Sequence, residues 1–172
     1  QFTVTGTPPA TLPDTQPPGA AEQAEEFNRQ NHPDLFLVNK GEIKQPSFEL
    51  HKNMLKTAPN EHYSFILVTK KDSSKDDLSY YLKSLGLSQE QINSLDIVSI
   101  TSEQFNKVGS FKNTLPFDDY DLSIGYDASF DKTSIYIDQK NKTNGEQRLN
   151  DYLKQNSIGS VDWINNLSII YQ

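Results

Sequence analysis

A chain of 172 residues with 34 % hydrophobic residues stays below the usual apolar share of ~45–50 % even with its eight glycines counted, which fits one core plus some unpacked sequence. Its 16 Lys and Arg against 23 Asp and Glu give a net charge of -7, which repels a phosphate backbone and argues against a nucleic-acid partner. Without cysteine, disulfides, thiolate zinc sites, iron–sulfur ligation and a Cys nucleophile are excluded together, and apolar runs such as Phe65-Ile66-Leu67-Val68 fall far short of the ~20 residues that span a bilayer.

Residues 1–20 carry Pro8, Pro9, Pro13, Pro17 and Pro18 among Thr, Gly and Ala. Such a segment buries too little surface to offset its ordering entropy, so a flexible Pro/Thr-rich spacer is expected over 1–20 and a single globular domain over 21–172. Spacers of this composition hold a folded domain off a membrane or cell wall. Leu12-Pro13-Asp14-Thr15-Gln16 imitates a sortase signal but lacks the final Gly and the C-terminal position.

Residues 20–31 predict a short surface helix, stopped by Asn31-His32-Pro33 because a residue before Pro avoids the α region. Leu35 to Val38 reads as a strand. Residues 46–58 read as a helix with Leu50, His51, Met54, Leu55 and Ala58 on one face, although Ser47-Phe48-Glu49-Leu50 alternates like a strand. Ser64 to Thr69 is a buried-strand candidate, and Leu78, Tyr81, Leu82 and Leu85 recur at helical spacing until Gly86 ends the helix. Ser74 with Asp77 and Ser88 with Gln91 fit capping boxes, so a second short helix bearing Ile92 and Leu95 precedes a strand at Ile97 to Ile100. That gives a β-α-β crossover. Phe111 to Tyr120 shows no period and reads as a long aromatic loop. Asp121 to Asp127 and Thr133 to Asp138 alternate as an antiparallel hairpin. After Asn144-Gly145 a helix with Leu149, Tyr152 and Leu153 ends near Gly159, and Trp163 to Tyr171 forms a last strand. No internal repeat is evident. The expected class is α+β, one mixed sheet with three or four helices, including the crossover and a C-terminal hairpin-helix-strand unit.

No GxSxG, HExxH, GxGxxG or GxxxxGK[ST] motif occurs, and the three histidines, His32, His51 and His62, have no ligand spacing. No catalytic residue, metal ligand or cofactor is assigned. The acidic residues Asp118, Asp119, Asp121, Asp127 and Asp131 suggest Ca²⁺, yet an EF-hand loop started at Asp119 would place Ile124 at the required Gly and Phe130 at the bidentate Glu. Alternation turns Asp119 and Asp121 to solvent. The candidate binding residues are Phe117, Asp118, Asp119, Tyr120 and Asp121, where aromatic anchors stand beside charges that would steer a basic partner.

Only Arg29 and Arg148 represent arginine among many lysines, which with abundant Asn and Ile suggests a bacterial source. The expected function is a non-catalytic, secreted or surface-anchored binding domain, a lipoprotein ectodomain with its signal peptide and lipid anchor upstream, recognising a protein or cell-envelope partner. The alternatives are a small hydrolase whose site is assembled from sequence-distant residues, and a cytosolic adaptor.

Overall fold

Two four-stranded sheets organise residues 19–56 and 60–172, which the computed structural model describes; the expected spacer lies outside them except for Gly19 and Ala20. The first sheet has the order β1 (Ile43–Lys44), β2 (Phe48–Lys56), β3 (His62–Thr69), β4 (Asp96–Thr101). The first three strands are antiparallel, and β4 pairs parallel with β3 after a crossover through α3 (Ser74–Ser84) and α4 (Gln89–Ser94). Helices α1 (Ala20–Asn31) and α2 (Pro33–Lys40) precede this sheet. The second sheet, β5 (Phe117–Asp119), β6 (Leu122–Asp127), β7 (Lys132–Ile137) and β8 (Leu167–Tyr171), repeats the plan. It follows α5 (Ser102–Lys112), its first three strands are antiparallel, and its parallel fourth strand comes after α6 (Lys142–Gln155).

The α+β class is as expected, but the single sheet divides into two and the α-helices among the described residues number six. Alternation marks strands without naming their partners, and the β6–β7 hairpin takes β5 and β8, not β4, as neighbours.

The unexpected repeat of topology extends to residues. Leu37 of α2 and Phe111 of α5 are both buried, as are the paired Leu50 and Leu67 and the paired Ile124 and Ile135. Leu78, Leu82 and Leu87 recur with identical spacing as Leu149, Leu153 and Ile158, all buried. Both helices end in the same cap. The Leu87 N–H donates to Leu82 O at 3.2 Å and that of Gly86 to Lys83 O at 2.9 Å; the Ile158 N–H donates to Leu153 O at 2.9 Å and that of Ser157 to Lys154 O at 3.0 Å. Such a cap needs a left-handed residue. Gly86 supplies it at φ 86°, and Ser157 is held at φ 58°.

Several elements differ from their expectation. The run Leu35 to Val38 lies in α2, because Pro33 at the first helical position presets the turn and four apolar residues fit either structure. The helix expected over 46–58 is β2, with Phe48 and Leu50 packed against α3 and β3; its Ala58 lies outside the described residues. The aromatic loop from Phe111 contains the end of α5 and all of β5; α5 opens on a Thr101–Gln104 capping box that the reading missed. Ser88 and Gln91 form their box, whereas Ser74 turns its hydroxyl inward to Ser47 O at 2.5 Å instead of capping. Asn144 and Gly145 lie inside α6, and only Leu167 onward of the last expected strand is strand, with Val161–Trp163 a 3₁₀ turn. Phe65, Leu67 and Leu82 share one cluster as expected, with Leu85 only partly buried at its margin. No helix among the described residues is long and apolar enough to cross a membrane.

One irregularity joins the halves. Between Lys52 and Leu55 the β2–β3 register shifts, so Asn53 and Met54 together face Ser64. Met54 packs into the core of the second sheet, and Asn166 N–H donates to Asn53 O at 2.9 Å.

Leu82→Ala and Leu153→Ala, at equivalent buried positions, should each lower unfolding free energy by about 2–5 kcal/mol. A loss below about 0.5 kcal/mol at either, typical of a surface site, would contradict the equivalence. Ser157→Gly should raise stability by about 0.5–1 kcal/mol by removing the left-handed penalty of a side chain. Chemical denaturation of the three variants measures all of this.

Candidate functional site

The five candidate residues surround the turn between β5 and β6. Asp119 pairs with Leu122, which leaves Tyr120 and Asp121 as a two-residue hairpin loop. Such loops favour Gly at a first position with positive φ, yet Tyr120 stands there at φ 20° with its side chain 99 % exposed. A bulky residue in this conformation is uncommon, and strained, exposed residues concentrate at functional surfaces.

The structure divides the five into scaffold and surface. Phe117 is half-buried and stacks on Tyr152 of α6 with ring centroids 4.0 Å apart. Asp119 forms an ion pair with Arg148 of the same helix. Asp121, its side chain only 12 % exposed, accepts from Asn144 Nδ2 at 2.5 Å and Asn141 Nδ2 at 3.2 Å. The expectation that Asp119 and Asp121 turn to solvent is therefore corrected: Arg148, Asn141 and Asn144 draw them toward α6. The helix comes this close because residue 145 is glycine. A Cβ there would lie 2.6 Å from Ile137 Cγ2 and 2.8 Å from Asp121 O.

Asp118 and Tyr120 remain exposed, and sequence reasoning missed their companions. Asp118, Ser123, Tyr136 and Ile170 form one row across the four strands. Asp118, Tyr120, Asp121, Tyr136 and Asp138 line a cavity of about 290 Å³ at the end of that row. Alternation places Ser123, Gly125, Ser134, Tyr136, Ser168 and Ile170 on one face of the second sheet, and none of them is buried. The first sheet has no comparable face, since Phe65, Ile66, Leu67 and Val68 are buried in succession.

The acidic residues that suggested a cation are separated. Asp118 to Asp121 lie at one end of β6, and Asp127 and Asp131 at the other. Asp131 accepts from Lys112 Nζ at 2.6 Å, Tyr126 Oη at 2.8 Å and Asn165 Nδ2 at 3.2 Å, fastening the β6–β7 turn to α5. Burial pushes its carboxyl up, but the hydrogen bonds from Lys112, Tyr126 and Asn165 outweigh this and hold it below its ordinary value.

A second group forms on the first sheet. His51, on a strand and not the expected helix, places Nδ1 2.5 Å from Glu42 and Nε2 3.1 Å from Glu49. Lys44 and Lys70 complete an alternating row at 2.8 Å from Glu42 and 2.6 Å from Glu49, and Lys70, then His51, hold the Glu49 carboxyl below its ordinary value. Glu42, Glu49 and His51 present ligand atoms within 4.8 Å of one another. Each carboxylate already has a lysine and both ring nitrogens a carboxylate, so every ligand atom of the group is already partnered. His62 commits Nδ1 to Asn60 O at 2.7 Å and Nε2 to Asp96 at 3.3 Å. Neither ring keeps a nitrogen for a hydroxyl nucleophile, which acyl-transfer chemistry requires of its base.

Comparison of the chain with protein-family models, curated proteins and solved structures finds no match.

Gly145→Ala should cost about 1–3 kcal/mol through overpacking against Ile137 and should loosen the Asp121 turn, seen as faster amide exchange at Tyr120 to Ser123. Unchanged stability and exchange would contradict the close approach. Asp131 is ionised and paired above its unfolded pKa, so its contribution is present there and is lost as pH falls through the lowered folded value. Urea midpoints of the parent and Asp131→Asn should differ at about pH 7 and converge toward about pH 2. A gap independent of pH would contradict the assignment.

Proposed function

We propose that the chain is a non-catalytic binding domain that recognises a basic protein or cell-envelope partner through the acid–tyrosine end of the second sheet. The observation that carries the reading is Tyr120, 99 % exposed at a positive φ, beside Asp118 and Tyr136 on a face with no buried residue. Tyrosine suits such a surface because it buries a large rigid ring at low entropic cost and keeps a polar tip. A ring face also attracts Lys or Arg, and Asp118 and Asp138 add long-range attraction that raises the association rate of a basic partner. Asp119 and Asp121, bound to α6, hold the turn in place. The Pro- and Thr-rich residues 1–20 support a secreted or lipoprotein-like, surface-anchored position in a bacterium.

Titration with a hexalysine peptide tests the site. Tyr120→Ala combined with Tyr136→Ala should weaken binding at least about tenfold, a loss of roughly 1.4 kcal/mol, without unfolding the chain. Asp118→Asn should mainly slow association and flatten its salt dependence. Binding that survives the double variant unchanged would overturn the assignment. Protease added to intact cells of the source should degrade the chain; protection until lysis would overturn its surface position.

A further inference from the structure

A groove of about 500 Å³ lies between the two sheets at the end of the second sheet opposite the acid–tyrosine turn, and it is outside the function proposed above. Residues of β2 and β8 line it, with Tyr63 of β3, Phe130 of the β6–β7 turn and Lys132 of β7 beside them. Among the described residues β2 meets β1 only at Glu49 and Leu50, so from His51 to Lys56 its one strand neighbour there is β3, and β8 has β7 alone. At the base, the Asn166 N–H donates to Asn53 O at 2.9 Å, a backbone rung between the two. Strand edges left this way present main-chain donors and acceptors to any extended chain.

The lining states the chemistry of an occupant. Leu55, 42 % exposed, and Phe130, 76 % exposed, offer apolar surface on opposite walls. Lys52 and Lys132 stand beside them, and no carboxylate is among the described residues that line the groove. Lys52 lies 5.6 Å from the Tyr63 ring centroid, and neither lysine has a carboxylate partner among the described residues. Two lysines without a carboxylate partner in one groove favour an acidic occupant over a neutral or basic one. We infer that the groove receives an extended acidic peptide segment of another protein, which adds as a strand between β2 and β8. Its main chain pairs with the open edges, its alternate apolar side chains rest on Leu55 and Phe130, and its carboxylates reach Lys52 and Lys132.

The test uses the full chain and a blocked, fluorescent hexapeptide of alternating Glu and Val, with binding read by anisotropy. The expected result is saturable binding that protects β2 and β8 amides from exchange, and that Lys52→Glu with Lys132→Glu weakens at least tenfold. Both lysines are exposed, so circular dichroism should show the double variant folded. A peptide N-methylated at alternate residues, with the same charges, should fail to bind. Equal binding of the methylated peptide would reduce the site to a charge patch and overturn strand addition. Equal binding of an uncharged peptide with the sequence of residues 1–5, or a concentration-dependent dimer that the double variant abolishes, would assign the groove to the chain's own first residues or to a second copy and overturn the acidic partner.

Discussion

The arrangement depends on an exchange of side chains between the two sheets. Met54, displaced by the bulge in β2, enters the cluster built on Ile124, Ile135 and Leu153, while Trp163 packs against that cluster and against Ile66, Val68 and Ile100 of the first sheet. Polar bonds hold the pair in register: Asn53 accepts from Asn166 N–H at 2.9 Å and donates from Nδ2 to Asp162 O at 3.2 Å. Gly159 makes the Trp163 position possible, since a Cβ there would come within 2.9 Å of the indole. Helix α5 adds to the joint, giving Phe105 to the first sheet and Val108 and Phe111 to the second.

This exchange is asymmetric, and the asymmetry distinguishes two otherwise equivalent halves. The first sheet is covered on one face by α2 and α3 and on the other by Phe105 and Trp163. Among the described residues the second sheet is covered only where α5 and α6 pack. Its other face keeps Ser123, Ser134 and Ser168, small residues suited to water or to a ligand, with Tyr136 at one end. Duplicated topology thus yields one sheet that is interior and one that offers a surface.

What the sequence disclosed was local. Leu78, Leu82 and Gly86 announced a helix and its stop because spacing and a left-handed residue lie close together in the chain, and Ser88 with Gln91 announced the next helix for the same reason. Residues 46–58 misled because Leu50, Met54 and Leu55 satisfy a helical period while Phe48 and Leu50 satisfy a strand period, and pairing with β3 decided between them. The repeat escaped notice because only buried positions are shared, as at Leu78 and Leu149, while the surface residues around them differ. At the site, the aromatic and acidic residues from Phe117 to Asp121 were visible. Their division into exposed Asp118 and Tyr120 and anchored Asp119 and Asp121 depends on Arg148 and Asn144, which are distant in sequence. Tyr136 and Asp138 joined them through strand register, which no local pattern contains.

Trp163, the one tryptophan of the chain, sits in the joint and reports on it directly. Urea unfolding followed in parallel by its fluorescence and by far-ultraviolet circular dichroism tests whether the sheets stand or fall together. Interlocked halves require one transition, with coincident midpoints and slopes by the two probes. A fluorescence transition that finishes while half of the dichroic signal persists would show that the joint opens first and that the sheets are stable without the exchange.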